Sequence, residues 1–323
     1  MRTAMRHFSV LIAIAFSILS ERPSHSVLLF AQKQPDESAV PLKLPLKPKS
    51  VRFAAIGDNG TGTRQQYDVA AQMERLHQRF PFEFVVMLGD NIYGGQTAAD
   101  FKLKFEDPYK PLLDGGVKFY ASLGNHDNPN ERFYKPFNMG GKRYYSFKNA
   151  NAAFFALDSN YMDPEQVSWL QQQLSGSSSD WKICFFHHPL HSDGQFHGSD
   201  VDLRDRIEPI LQKNGVNVVL SGHDHVYERV APQHGISYFV IGNSGQLRFH
   251  NLRRSSQMLK GYDEDCGFAL FEIAGDELYF QIISRKGETI DSGVIPRTSN
   301  QPGAFVAPKT KWQISTPVPG GAS

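Results

Sequence analysis

Five apolar runs in this chain each lead, within a residue or so, into a cluster of metal-ligand side chains, and that repetition constrains the fold more than any other feature. VRFAAI (51–56) runs into GDNG, EFVVML (83–88) into GDNIY, VKFYAS (117–122) into GNHD, WKICFF (181–186) into HHPLH, and NVVLS (217–221) into GHDH. Short apolar runs that stop at such turns read as buried strands. Between them lie helical patterns. RQQYDVAAQMERLHQRF (64–80) carries apolar residues at Tyr67, Ala70 or Ala71, Leu76 and Phe80. A second helix opens at Asp163-Pro164, with Asp163 as cap, Gln166 three residues on, and Val167, Leu170 and Leu174 as its inner stripe. A third spans 200–214 despite Pro209, and AAFFAL (152–157) adds another strand. Strands that alternate with helices build a largely parallel sheet, and ligands bind outside the carboxyl ends of its strands. Every polar cluster here sits at such an end.

The pattern changes after about residue 236. ISYFVI, GFALFEI, LYFQIIS and ETIDSGVI are strand-like without intervening helices, which predicts an antiparallel sheet. The expected class is α/β, with two packed mixed sheets and helices on both outer faces.

At 323 residues, 40% of them hydrophobic, the chain is long enough for a large core. Its net charge of +1 gives no reason to expect nucleic acid or an acidic membrane as partner. The N-terminus has the pattern of an export signal. Arg2 and Arg6 precede FSVLIAIAFSILS (8–20), which falls short of the roughly 20 residues of a membrane span, and Ser24-His25-Ser26 offers a cleavage site. Residues 1–26 are therefore expected to be a signal peptide that leaves no stable membrane insertion and sends the protein to the periplasm or outside the cell. Residues 27–50, rich in Pro and Lys, read as an extended linker, 51–295 as one catalytic domain, and 296–323 as a flexible tail. Of the two cysteines, Cys184 lies inside an apolar strand and reads as a buried free thiol, although export would permit a disulfide with Cys266.

The clusters suit a pair of metal ions. A carboxylate such as Asp90 can bridge two ions about 3.5–4 Å apart, and two ions can clamp a phosphoryl group. His223 and His225 flank one residue, so they can reach different ions. The glycines at 57, 89, 124 and 222 each precede a candidate ligand and allow a sharp turn there. Any one cluster alone is ordinary turn chemistry; five at consecutive strand ends are not.

The series GD…GDNxY…GNHD…HxP…GHxH resembles that of the calcineurin-like metallophosphoesterases, and Tyr93 in its second motif resembles their purple acid phosphatase branch, in particular the small single-domain members. FKLKFEDPY (101–109) and HGSDVDLRDRIEPILQKNGVNVVLSGHDH (197–225) extend the likeness, which covers roughly 51–295. The resemblance implies the four-layer metallophosphoesterase fold and hydrolysis of phosphomonoesters, as small-molecule substrates, by a metal-bound hydroxide. It implies Fe(III) on Asp58, Asp90, Tyr93 and His225, and a divalent Fe, Zn or Mn on Asp90, Asn125, His187 and His223. Pro189 fixes His187 as the ligand, with His188 in the variable position. His126, and His197 ahead of the third helix, match histidines that assist the leaving group; His197 also reads as a solvated loop residue. His191 has no counterpart and reads as a surface residue near the mouth. Asn59 stands where the small branch usually has Trp. Asn59-Gly60-Thr61 matches a glycosylation sequon, but a glycan there would obstruct the site. The alternatives are a phosphodiesterase or nucleotidase of the same superfamily, and a catalytically inactive metal-dependent binding module.

Overall fold

A computed structural model describes residues 40–297. The expected strands form, each within a residue of its expected bounds at either end: β1 (Val51–Ile56), β2 (Phe84–Met87), β3 (Lys118–Ala121), β5 (Ala152–Ala156), β6 (Trp181–Phe185), β7 (Val218–Ser221), β9 (Ile236–Ile241), β11 (Gly267–Ala274), β12 (Glu277–Ser284) and β13 (Thr289–Pro296). Three further strands, β4 (Tyr145–Asn149), β8 (Tyr227–Gln233) and β10 (Met258–Tyr262), join them. The helices are α1 (Arg64–His77), α2 (Ala98–Phe101), α3 (Lys110–Asp114), α4 (Pro164–Ser175) and α5 (Val201–Lys213). Among the described residues no helix is long and apolar enough to cross a membrane.

Two mixed sheets result, in the orders β13-β12-β11-β1-β2-β3 and β10-β8-β9-β7-β6-β5-β4. β1, β2 and β3 are mutually parallel, as are β5, β6, β7 and β9, while β11 runs antiparallel to β1. The expected late antiparallel sheet is thus divided. β11, β12 and β13 extend the first sheet, and β9 enters the second as a parallel neighbour of β7.

Side-chain alternation builds the layers. Along β6, Trp181, Ile183 and Phe185 enter one buried cluster, while Cys184 and, just beyond it, Phe186 enter another; Phe154 and Phe155 of β5 divide in the same way. Successive side chains of a strand face opposite sides of the sheet, so both faces of the second sheet are covered. Between the sheets, the Phe53 ring stacks on Phe84 and Phe271, with centroids at 5.4 and 5.0 Å, and meets Phe154 of the other sheet edge-on at 5.2 Å. Leu170 and Leu174 of α4 and Ile207 and Leu211 of α5 close the outer face of the second sheet. Val69, Met73 and Leu76 of α1 pack with the first. This is the four-layer arrangement.

The helix starts follow from their caps. The Asp163 carboxylate accepts the backbone N–H of Gln166 at 2.8 Å and Pro164 occupies the first turn. Gln166 reaches back into the loop before the cap, accepting from Asp158 N at 2.8 Å and donating to Tyr161 O at 2.9 Å. Asp200 caps α5 through the N–H of Leu203.

The reading of 27–50 as an extended linker needs correction over residues 40–50, which pack against the domain. Val40 and Leu44 are buried. Lys43 N donates to Gln281 Oε1 at 2.8 Å, Leu46 N to Glu272 Oε2 at 2.8 Å, and Gln281 Nε2 to Pro41 O at 2.9 Å. The segment has no regular structure and turns at Leu46 and Lys49, with φ of 53° and 59°, and several of its backbone polar groups are satisfied by side chains of β11 and β12. Cys184 and Cys266 are buried free thiols. The expectations for 1–26, 27–39 and 298–323 lie outside the described residues.

Candidate metal centre

Because β1, β2 and β3 run parallel, their carboxyl ends bring the loops of Asp58, Asp90 with Tyr93, and Asn125 with His126 to one edge; β6 and β7 bring His187, His223 and His225 to the facing edge. The loops are tied directly. Asp58 N donates to Gly89 O at 3.0 Å, Gly222 N to His187 O at 3.0 Å, His223 N to Asp58 Oδ2 at 2.8 Å and His126 N to Asp90 Oδ1 at 2.9 Å. Asp58, Asp90 and His223 have φ of 53°, 53° and 71°, a left-handed conformation that non-glycine residues rarely adopt and that clusters at functional sites. Close approach dictates glycine beside them. Gly89 has φ 88°, and a Cβ there would lie 2.6 Å from His187 Nδ1; a Cβ on Gly124 would lie 2.2 Å from Asp90 Oδ1.

Two groups of donor atoms form. In one, Asp58, Asp90 and His225 place ligand atoms within 4.8 Å of one another. The Tyr93 hydroxyl joins them, 3.2 Å from Asp58 Oδ1 and 3.2 Å from His225 Nε2. In the other, His187 Nε2 lies 2.9 Å from Asn125 Oδ1, 3.1 Å from His223 Nδ1 and 3.4 Å from Asp90 Oδ1. Asp90 therefore touches both groups.

The donor chemistry decides what these groups fit. His187 Nδ1 lies 2.9 Å from the Leu88 carbonyl, to which it donates, so Nε2 carries a lone pair. That lone pair meets an amide oxygen and a carboxylate oxygen, and acceptors converge in this way around a cation. The ionisation of the groups points the same way. Burial, then the neighbouring Asp90 carboxylate, holds Asp58 well above the usual carboxylate range. Burial, then Asp58 and Asp90, pushes the Tyr93 phenol far up. Burial first, with neighbouring imidazoles next, depresses His187 and His223; burial and then Arg248 lower His225 to about 4. Neutral imidazoles are the form that binds metal, and a pair of buried carboxylates is stabilised by added positive charge. The group of Asp58, Asp90, Tyr93 and His225 is rich in hard oxygen, and the group of Asn125, His187, His223 and Asp90 is softer. The residues fit two metal ions.

The flanking histidines divide. The His126 ring lies 4.9 Å from that of Tyr93, and the His197 ring 4.0 Å from that of His223. His188, assigned to the variable position, also presents a ring nitrogen within 4.8 Å of His187 and His223, while its Nδ1 bonds the Ser159 hydroxyl at 2.8 Å. His191 corrects the sequence reading. It is buried, its Nε2 lies 2.7 Å from Glu208 Oε1, and Tyr238 donates to the same oxygen at 2.6 Å. Asn59, the acceptor residue of that sequon, is fully buried, which leaves no room for a glycan on it.

Two aspartates inside the motifs had no assigned role. The Asp127 carboxylate accepts from Asn91 N and Nδ2, both at 2.7 Å, from Ile92 N at 3.0 Å and from Gly124 N at 2.8 Å, pinning the second cluster to the third. Asp224, between two candidate ligands, accepts from the Ser192 hydroxyl and from Gly198 N, which fixes the loop that carries His197. Their place within GNHD and GHDH was the available signal.

The chain resembles known proteins in sequence and in fold. The chain is 27% identical to tartrate-resistant acid phosphatase type 5 of Homo sapiens, covering 77% of this chain and 91% of that protein. It is 27% identical to purple acid phosphatase 7 of Arabidopsis thaliana, covering 80% and 90%. Among solved structures, the purple acid phosphatase PPD1 of yellow lupin shares the fold with a TM-score of 0.65 at 17% identity, covering 78% of this chain and 55% of that one. GAP50, the anchor in the inner membrane complex of Plasmodium, shares it with a TM-score of 0.67 at 22% identity, covering 77% and 90%. The family model of the calcineurin-like phosphoesterases matches residues 51–227, more than half of the sequence, and the chain belongs to that family.

Proposed function

We propose that the chain is an exported phosphomonoesterase with a dinuclear metal centre. One observation carries the reading: His187 Nε2, with its other nitrogen committed to the Leu88 carbonyl, points its lone pair at Asn125 Oδ1 and Asp90 Oδ1, while Asp90 also belongs to the group of Asp58 and His225. In this reading Asp58, Asp90, Tyr93 and His225 hold a ferric ion, and Asp90, Asn125, His187 and His223 hold a divalent Fe, Zn or Mn. When bound, the two ions supply the positive charge that polarises a phosphoryl group and lowers the pKa of water.

The chain's own residues do the rest. Asp127 and Asp224 hold the loops in register. His126 and His197, both exposed at the mouth, stand where a leaving oxygen would accept a proton. Partial desolvation holds His197 below the ordinary histidine value, Asp224 opposing and Arg248 reinforcing the effect. Support for export is the arginine-flanked apolar stretch 8–20. Residues 51–295 would form the catalytic unit, and the leader would be removed near Ser26.

The purified protein should contain two metal ions per chain and be coloured. It should hydrolyse para-nitrophenyl phosphate in preference to bis(para-nitrophenyl) phosphate at about pH 5. A preference for the diester would move the assignment to a phosphodiesterase, and a metal-loaded protein that turns over neither would leave a binding module. Asn125→Ala should lower the divalent metal content and reduce kcat by about a hundredfold or more, because a neutral oxygen donor and its orienting contact are both lost. Near-normal turnover in that variant would remove Asn125 from the site.

A further inference from the structure

We infer that Arg248 is a specificity-determining residue that favours substrates whose leaving group carries a second anion, of the phosphoanhydride class, over simple monoesters. The inference rests on the phosphatase reading above. Arg248 lies in the loop after β9 that leans over the centre. Its backbone N–H donates to His225 O at 2.9 Å, and Gln246 N, two residues earlier, donates to Asp58 O at 3.0 Å. Its guanidinium lies 3.4 Å from the centroid of the Phe196 ring. Phe196 in turn meets the His197 ring at 4.6 Å, and His197 lies 4.0 Å from His223. The contacts lead outward from a half-buried candidate ligand to Phe196, which is 62% exposed.

Arg143, Arg229, Arg285 and Arg297 each pair with an aspartate. Among the described residues no carboxylate lies within 4.0 Å of Arg248, and its buried Nε has no hydrogen-bond partner. A guanidinium held against an aromatic ring loses less freedom on binding than a free one, and its fork matches phosphate oxygens. The transferred phosphoryl group would sit on the ligand groups, with His126 and His197 around it. An anion at Arg248 would lie beside Phe196 and close to His197, the histidine assigned above to the leaving group. For a phosphoanhydride, a water oxygen forms the new bond to phosphorus as the bond to the bridging oxygen breaks. The electron pair leaves on the second phosphate, and the proton from water ends on phosphate or buffer.

The test compares Arg248→Met with the full-length, metal-loaded parent on pyrophosphate and on para-nitrophenyl phosphate. Methionine keeps an apolar chain over Phe196 and removes the fork. The loss in kcat/KM on pyrophosphate should exceed that on the monoester by about tenfold, and calorimetric affinity for methylenediphosphonate should fall about tenfold more than affinity for inorganic phosphate. Phe196→Leu, which keeps the charge and loosens its platform, should show a smaller loss with the same selectivity. Equal losses on both substrates, an unaffected pyrophosphate activity, or a parent that hydrolyses only the monoester would each overturn the inference. A parent holding two ions that hydrolyses neither substrate would instead overturn the phosphatase reading itself.

Discussion

Asp90→Asn should reduce bound metal from two ions per chain to one or none and lower kcat/KM on the order of a thousandfold. The substitution isolates charge from shape. Asp90 has φ 53°, and asparagine is among the few residues at ease in that conformation. An amide oxygen can still accept the His126 N–H that Asp90 Oδ1 accepts at 2.9 Å. The closely packed Gly124 therefore need not move, and the fold should survive. What disappears is the negative oxygen that contacts both donor groups. The metal-free variant should be no less stable than the metal-free parent, because Asp90 is the second largest cause, after burial, of the raised pKa of Asp58. Elemental analysis and thermal melting of the stripped protein check the two halves. A variant that keeps both ions and full turnover would show that Asp90 bridges nothing.

One fold serves several roles. The same architecture is found in a lupin purple acid phosphatase and in an anchor of the Plasmodium inner membrane complex. The decision falls to the donor atoms. That is why the stripped and loaded states of this chain carry more information than a finer comparison of its backbone.

The candidate centre was legible because its residues sit where strands stop. An apolar run that ends in GD or GNHD marks a carboxyl end without any knowledge of which strands are neighbours. What lay off those ends was harder. β4 reads YSFKN and lies at a sheet edge, with Ser146 and Lys148 exposed between a buried Tyr145 and half-buried Phe147 and Asn149, so its polar residues hide it. β8 and β10 carry Glu228, Arg229 and Lys260 for the same reason. ISYFVI was recognisable as a strand, but its sheet was not. All six of its residues are buried, so no polar face reveals whether its partner is parallel β7 or an antiparallel hairpin. His191 looked like a mouth residue because it follows a ligand motif; its partner, Glu208, lies on α5 and comes near only through packing. Arg248 had no sequence signal, since its role depends on Phe196, which lies 52 positions away in the numbering and reaches it through space.

Tyr93→Phe should abolish the visible absorption while leaving the backbone in place. The phenol lies 3.2 Å from Asp58 Oδ1 and 3.2 Å from His225 Nε2, and burial with Asp58 and Asp90 opposes its ionisation strongly. A cation of high charge is what can replace that proton, as bound metals do to their ligands. A phenolate on ferric iron transfers charge in the visible range, so the colour reports this bond alone. The loop does not depend on the hydroxyl. Tyr93 N donates to Gly60 O at 2.9 Å, Lys104 Nζ donates to Tyr93 O at 2.7 Å, and the ring contact with His126 survives in phenylalanine. On the proposed reading the variant should fold, melt within a few degrees of the parent, and bind a divalent ion nearly as before, while a ferric ion would be held more weakly by Asp58, Asp90 and His225. Visible spectroscopy beside iron analysis separates the outcomes. Loss of colour with iron partly retained is the expected result. A variant as strongly coloured as the parent would assign the iron to a different phenol and leave Tyr93 as a packed ring in a turn.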